Sequence, residues 1–181
     1  MNVLRESGPT GDETGMTIVE VIIYSALTAL VLSVLGGLFF VGFKTQAATG
    51  GRDAATGAAQ VVSNSLQTAV RNASSVSVTG TVLKARVASG ATGWQCVTWA
   101  VTTDNLLVYK TAPAAITSTD DSSWTVLATG ASGRLGGGAA FSGDSAQVSY
   151  SLAFSSGGIT VPVAGTVTAN SYGTGSPESC W

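Results

Sequence analysis

The chain has 181 residues, with 8 Lys and Arg, 10 Asp and Glu, no His and 2 Cys; 45 % of it is hydrophobic and 10 % charged. That length fits one domain, or one domain plus an appendage, and so apolar a composition is not that of a disordered chain. A net charge of −2 with scattered cations argues against a nucleic-acid binder, and the lack of His removes the commonest general base and zinc ligand.

Residues 1–15 are polar and carry Arg5, Glu6, Asp12 and Glu13. From Met16 to Phe43 the chain is almost wholly apolar. After Glu20 no charge occurs until Lys44, which leaves the 23 uncharged residues Val21–Phe43. As a helix this run is about 35 Å long, enough to cross a hydrocarbon core of about 30 Å. Two other readings compete with a membrane span. A buried helix of a soluble protein is seldom unbroken for so long. A secretory signal peptide has a basic start and a shorter apolar core, although Thr45-Gln46-Ala47 imitates a cleavage site. Glu20 is the anomaly. A carboxylate costs about 2.5–3.5 kcal/mol at mid-membrane and less near an interface. It either snorkels to the headgroups or has a dedicated cationic partner.

Beyond Phe43 the pattern turns amphipathic. Val62, Leu66, Ala69 and Ala73 follow helical spacing, with Asn64, Gln67 and Arg71 on other faces, so the helix is expected to reach about Asn72. Gly50-Gly51 and Gly57 weaken its middle and mark residue 50 as the place for a bend or break. Asn72-Ala73-Ser74 fits a glycosylation sequon, but a helix-end Asn explains it more simply.

From Ser75 the period becomes two. Strands are expected over 75–79, 81–88, 94–102 and 106–111, the last two joined by a turn at Thr103-Asp104-Asn105. Further strands fall at 124–129, 147–154 and 159–169, where Pro162 implies an edge or an interruption. Residues 133–138 and 155–158 read as loops. The fold class is therefore α+β, a long N-terminal helix packed on an antiparallel β-sheet head.

Gly15-Met16-Thr17-Ile18-Val19-Glu20-Val21 resembles the processing motif of type IV prepilins and type II secretion pseudopilins. The match covers about residues 11–45. The resemblance implies a leader, 1–15, removed between Gly15 and Met16 by a prepilin peptidase, then methylation of the Met16 amine. It implies a transmembrane and assembly helix, 16–43, with the N-terminus cytoplasmic in the cytoplasmic membrane, and a pilin-like head, 44–181, outside the cytoplasm. In such families the carboxylate matching Glu20 neutralises the amine of a neighbouring subunit. The implied partners are the peptidase, other pilin or pseudopilin subunits and an inner-membrane assembly platform. The leader departs from the family pattern in being acidic. The Lys/Arg distribution taken alone, with Lys44 and Arg52 after the span, places the N-terminus outside. Many relatives carry Pro where this chain has Gly36-Gly37. That pair and Gly42 serve either close helix packing or a stretch that extends on leaving the membrane. The order of elements loosely resembles the larger minor pilins of the PilW or GspJ kind.

A head outside the cytoplasm is in a disulfide-permissive place. Cys96 and Cys180 either bridge, pinning the C-terminal tail and Trp181 to the sheet, or stay as two thiols, and the compartment favours the bridge.

Enzyme chemistry is hard to assemble. Gly143-Asp144-Ser145 lacks the flanking glycine elbow and a His partner of a hydrolase serine. The Gly133–Gly138 stretch has no following Lys-Ser/Thr for a phosphate loop. Asp120-Asp121 with Ser118, Thr119 and Ser122 could ligate calcium, but a polar turn explains them better. Trp94, Trp99, Trp124 and Trp181 read as core or interface residues. No cofactor or resident metal is expected. The function expected is that of a structural subunit, a minor pilin or pseudopilin, and not an enzyme. The alternative is a filament-tip or membrane-anchored binding module for adhesion or DNA uptake. Residues 16–181 carry 7 basic and 7 acidic side chains, so no cationic surplus favours DNA.

Overall fold

The computed structural model describes residues 15–90, 93–117, 123–173 and 180–181. Residues 1–14 of the expected leader, and Asp120 and Asp121 of the candidate calcium loop, lie outside the described residues. The chain divides into two compact units, residues 1–45 and 46–181.

One helix, α1, spans Ile18–Arg71. In the first unit it has no covered face. The eighteen large apolar side chains of Met16–Phe43 keep 45–80 % of their surface accessible. At about 1.5–3 kcal/mol for each such side chain left in water, their exposure would exceed the 5–15 kcal/mol by which a typical domain is stable. By its length and apolar composition the segment is a candidate membrane span.

In the second unit α1 has one covered face. Gly51, Ala55, Ala59, Val62, Leu66 and Val70 are buried, at the three- and four-residue spacing that keeps side chains on one stripe. The stripe ends on Val70 where Ala69 was expected; Ala69 is half-buried, and Ala73 already belongs to the first strand. The break expected as one possibility at Gly50-Gly51 does not occur, and the helix runs on through the pair. Gly51 faces the tip of a hairpin, and a methyl group there would lie 2.7 Å from the carbonyl oxygen of Ser156. Of the pair that weakens the helix by propensity, Gly51 lets the hairpin close on it, while Gly50 faces open space.

Among the described residues nine strands follow: β1 (Ala73–Thr79), β2 (Val82–Ala88), β3 (Trp94–Val101), β4 (Leu106–Ala112), β5 (Thr125–Thr129), β6 (Ala131–Gly133), β7 (Phe141–Gly143), β8 (Gln147–Ser156) and β9 (Ile159–Thr168). The first five form an antiparallel meander in sequence order. Asn105, at φ 57°, turns β3 into β4. In the second sheet β8 is the spine, with β6 and β7 paired to it at separate places and β9 paired along its whole length. Sequence alone suggested one sheet; the structure has two. The stretch expected as a loop over 133–138 begins at the end of β6 and contains a 3-10 turn, Gly136–Gly138. β8 continues through Ser156, so the expected loop at 155–158 shrinks to Gly157-Gly158. Pro162 lies on β9, which among the described residues pairs only with β8. An edge strand is where a missing N–H is tolerated.

One core joins the head. Val62, Leu66 and Val70 of α1 meet Val76, Leu83, Ala85, Val97, Trp99 and Leu107 of the first sheet and Phe141, Tyr150, Leu152 and Phe154 of the second. Two large polar side chains that enter it are paired: Trp99 Nε1 donates to Ser65 Oγ at 3.2 Å. The Tyr150 hydroxyl lies 2.7 Å from Ser63 Oγ and accepts from Gln67 Nε2 at 3.3 Å. β3 is buried on both faces. Its outer face is covered by a second cluster of Cys96, Ile116 and Cys180, with Ala112 and Trp124 against it.

Candidate functional site

Two places carry the chemistry that the sequence singles out, one in each unit. The first is the start of α1. Gly15, Met16 and Thr17 precede the helix and are exposed. Among the described residues a methyl group at Gly15 would meet nothing within 4 Å, so no described part of the chain crowds Gly15. Thr17 acts as the helix cap. Its Oγ1 accepts from the Glu20 N–H at 3.3 Å, and its carbonyl accepts from the Val21 N–H at 3.2 Å. That satisfies donors which the first helical turn leaves orphaned.

Thr17-x-x-Glu20 has the spacing of a capping box, in which the glutamate reaches back to the cap N–H. Here the reciprocal bond is absent. Glu20 Oε1 instead accepts from the Tyr24 hydroxyl at 3.2 Å, one turn further on. The carboxylate in the first turn also complements the positive end of the helix dipole, as Arg71 complements the last turn. At the far end of the apolar run the Lys44 ammonium lies 4.6 Å from the centre of the Phe40 ring. A cation with an aromatic stem is the pairing found where a span meets headgroups.

The second place is the disulfide. Cys96 of β3 and Cys180 are bonded, with Cα atoms 5.5 Å apart. The bridge fixes the C-terminal end over the outer face of the first sheet, and Trp181 lines a small hollow there with Ser77, Thr79, Val82 and Lys84. Lys84 Nζ donates to the Ile116 carbonyl at 2.8 Å, tying the segment after β4 to the same face.

The remaining candidates take structural places. Asp144 closes the turn between β7 and β8: its Oδ1 accepts from the N–H groups of Ala146 and Gln147, both at 2.8 Å. Those bonds, Ala146 first, hold its carboxyl below the usual range. Ser145 Oγ pairs with the Tyr172 hydroxyl at 3.0 Å, so its neighbour is a phenol and not a base. Trp99 is buried beside Tyr109, ring centres 5.5 Å apart, and burial pushes the Tyr109 hydroxyl up. The Lys110 ammonium lies 6.0 Å from the centre of the Trp124 ring. Asn72 is exposed at the end of α1, while Ser74 of the same sequon is buried and donates to the Arg86 carbonyl. Among the described residues no three Cys, Asp or Glu side chains converge as metal ligands do.

Thr17 and Tyr24 were missed by sequence reasoning. Both were legible: Thr17 from the capping-box spacing, Tyr24 from its place four residues after the lone carboxylate. Fold and site together define an α+β chain with a candidate membrane span and a disulfide-bonded β head. No family model, no curated protein and no solved structure matches the chain.

Proposed function

We propose that the chain is a structural subunit, a minor pilin or pseudopilin, of a type IV pilus or related filament. One observation carries the reading. An apolar helical segment exposed through Phe43 carries a lone carboxylate, Glu20, in its Thr17-capped first turn, and the exposed Gly15-Met16 pair stands directly before the cap. Cleavage at that bond, unlike signal-peptide removal, keeps the apolar helix in the product. It also creates a cationic amine at Met16, four residues from a carboxylate. An ion pair of that kind between stacked helices costs desolvation, so its value lies in fixing register more than in adding stability.

In this reading a prepilin peptidase cuts after Gly15 and methylates Met16. The helix holds the protein in the cytoplasmic membrane, N-terminus inside, until an assembly platform adds it to other subunits. The disulfide supports a head outside the cytoplasm. The head carries no catalytic role in this proposal.

The test is the intact mass of the membrane-extracted full chain, expressed with and without a prepilin peptidase. The expected outcome is a peptidase-dependent loss of residues 1–15 with gain of one methyl group. An uncut chain, or one cut near Ala47, overturns the proposal.

A further inference from the structure

The hydroxyl groups of the apolar segment do not all behave alike. Ser25 Oγ donates to the Ile22 carbonyl at 2.9 Å, Thr28 Oγ1 to the Tyr24 carbonyl at 2.7 Å and Thr45 Oγ1 to the Val41 carbonyl at 3.0 Å. Each of these three short side chains satisfies itself on its own helix, a common solution for Ser and Thr where water is scarce. A tyrosine has no such option, because its ring carries the hydroxyl past the backbone. Helical side chains lean towards the N-terminus, so the ring at position 24 covers the turn that holds residue 20. The phenol finds its acceptor there, at Glu20 Oε1.

The contact solves two problems at once. A phenol in an apolar medium needs an acceptor, and a carboxylate there needs donors. The Thr17 hydroxyl accepts from the Glu20 N–H and makes no bond to the carboxylate among the described residues. Tyr24 is thus the donor that the chain itself supplies to Glu20 among the described residues. It engages one oxygen and leaves Oε2 without a hydrogen bond there. A carboxylate accepts about four bonds, so Oε2 remains open to a cation brought by another molecule.

We propose that Tyr24 is a positioning residue for Glu20, holding one carboxylate oxygen so that the other is presented to the ammonium group of a neighbouring copy or related subunit. The proposal rests on the reading that Glu20 is the assembling carboxylate, but the hydrogen bond itself can be tested apart from that reading.

The decisive variant is Tyr24→Phe, which keeps the ring and the helix and removes only the hydroxyl. In the full chain, reconstituted in phosphatidylethanolamine–phosphatidylglycerol vesicles with isotope-labelled glutamate, the infrared carboxylate band lost in Glu20→Gln identifies Glu20. Tyr24→Phe is expected to shift that band, and Thr28→Val to leave it in place. An unshifted band in Tyr24→Phe overturns the proposal. The second arm is filament incorporation. Tyr24→Phe is expected to lower it severalfold when Glu20 is present and to change nothing further in Glu20→Gln. An equal loss in both backgrounds means the ring packs rather than positions, and also overturns the proposal. If Glu20→Gln alone leaves incorporation intact, the assembly role of Glu20 fails, while the infrared shift still decides whether Tyr24 holds the carboxylate.

Discussion

The two halves of α1 are one helix in two environments. From Ile18 to Phe43 apolar side chains point in every direction and none is buried. From Gly51 to Val70 only every third or fourth residue is apolar and buried. A helix apolar all round matches a hydrocarbon surrounding, and a single stripe matches water on one side with a core on the other. Glycine shows the same contrast. Gly36, Gly37 and Gly42 have open space where a side chain would stand, whereas Gly51 sits against the backbone of Ser156 and Gly157. Among the described residues the glycines of the first half meet nothing; in the second, Gly51 permits a contact, while Gly57 faces open space. The head therefore draws its stability from its own core and its staple, and the span from whatever surrounds it.

The largest test of that division is the disulfide. Reduction, or replacement of Cys96 and Cys180 by Ala, releases a loop closed over a sequence separation of 84. By the chain-entropy model it lowers the unfolding free energy of the head by about 4–5 kcal/mol. Denaturant titration of the full chain in detergent measures this through the near-ultraviolet signal of Trp99 and Trp124. The helical signal of the span is expected to stay. If the span melts with the head, the two halves do not draw on separate sources of stability.

Glycine gives a finer test. Gly51→Ala places a methyl group 2.7 Å from the Ser156 carbonyl oxygen, so the hairpin must shift. A loss of about 1–3 kcal/mol in head stability is expected, as for an overpacked core. Gly37→Ala meets no atom within 4 Å and should favour the helix by about 1 kcal/mol, with the unfolding midpoint of the head unmoved. Equal effects from the two substitutions would break the comparison.

What the sequence made legible follows the same line. The uncharged run and the Val62–Leu66 spacing announced α1, and strict alternation announced β2, β8 and β9. β6 and β7 escaped because three residues, Ala-Ser-Gly and Phe-Ser-Gly, are too few to show a period. Without them the second sheet could not be separated from the first. The expected break at Gly50-Gly51 followed propensity, a weak local term that packing overrides. At the start of the helix, Glu20 stood out by its charge. Tyr24 did not, because a tyrosine in an apolar run counts as apolar until its hydroxyl needs a partner.

The smallest expected effect lies at the turn between β7 and β8, where the stabilising contacts are wholly exposed to water. The Asp144 carboxylate accepts two backbone N–H bonds, which favour its ionised form and hold its carboxyl below the ordinary range. A depressed carboxyl stabilises the folded state above its unfolded value, about 3.9. That contribution is lost as pH falls through the lower folded value. Asp144→Asn keeps an acceptor oxygen at the same place but removes the charge. It should leave the turn intact and flatten the dependence of head stability on pH below about 4, whereas Asp144→Ala should lower stability at neutral pH as well. Denaturation midpoints of the three proteins between acid and neutral pH measure the difference, since the other carboxylates titrate alike in all of them. If Asp144→Asn retains the full acid dependence, the N–H bonds of Ala146 and Gln147 do not discriminate charge, and the turn is held by its backbone alone.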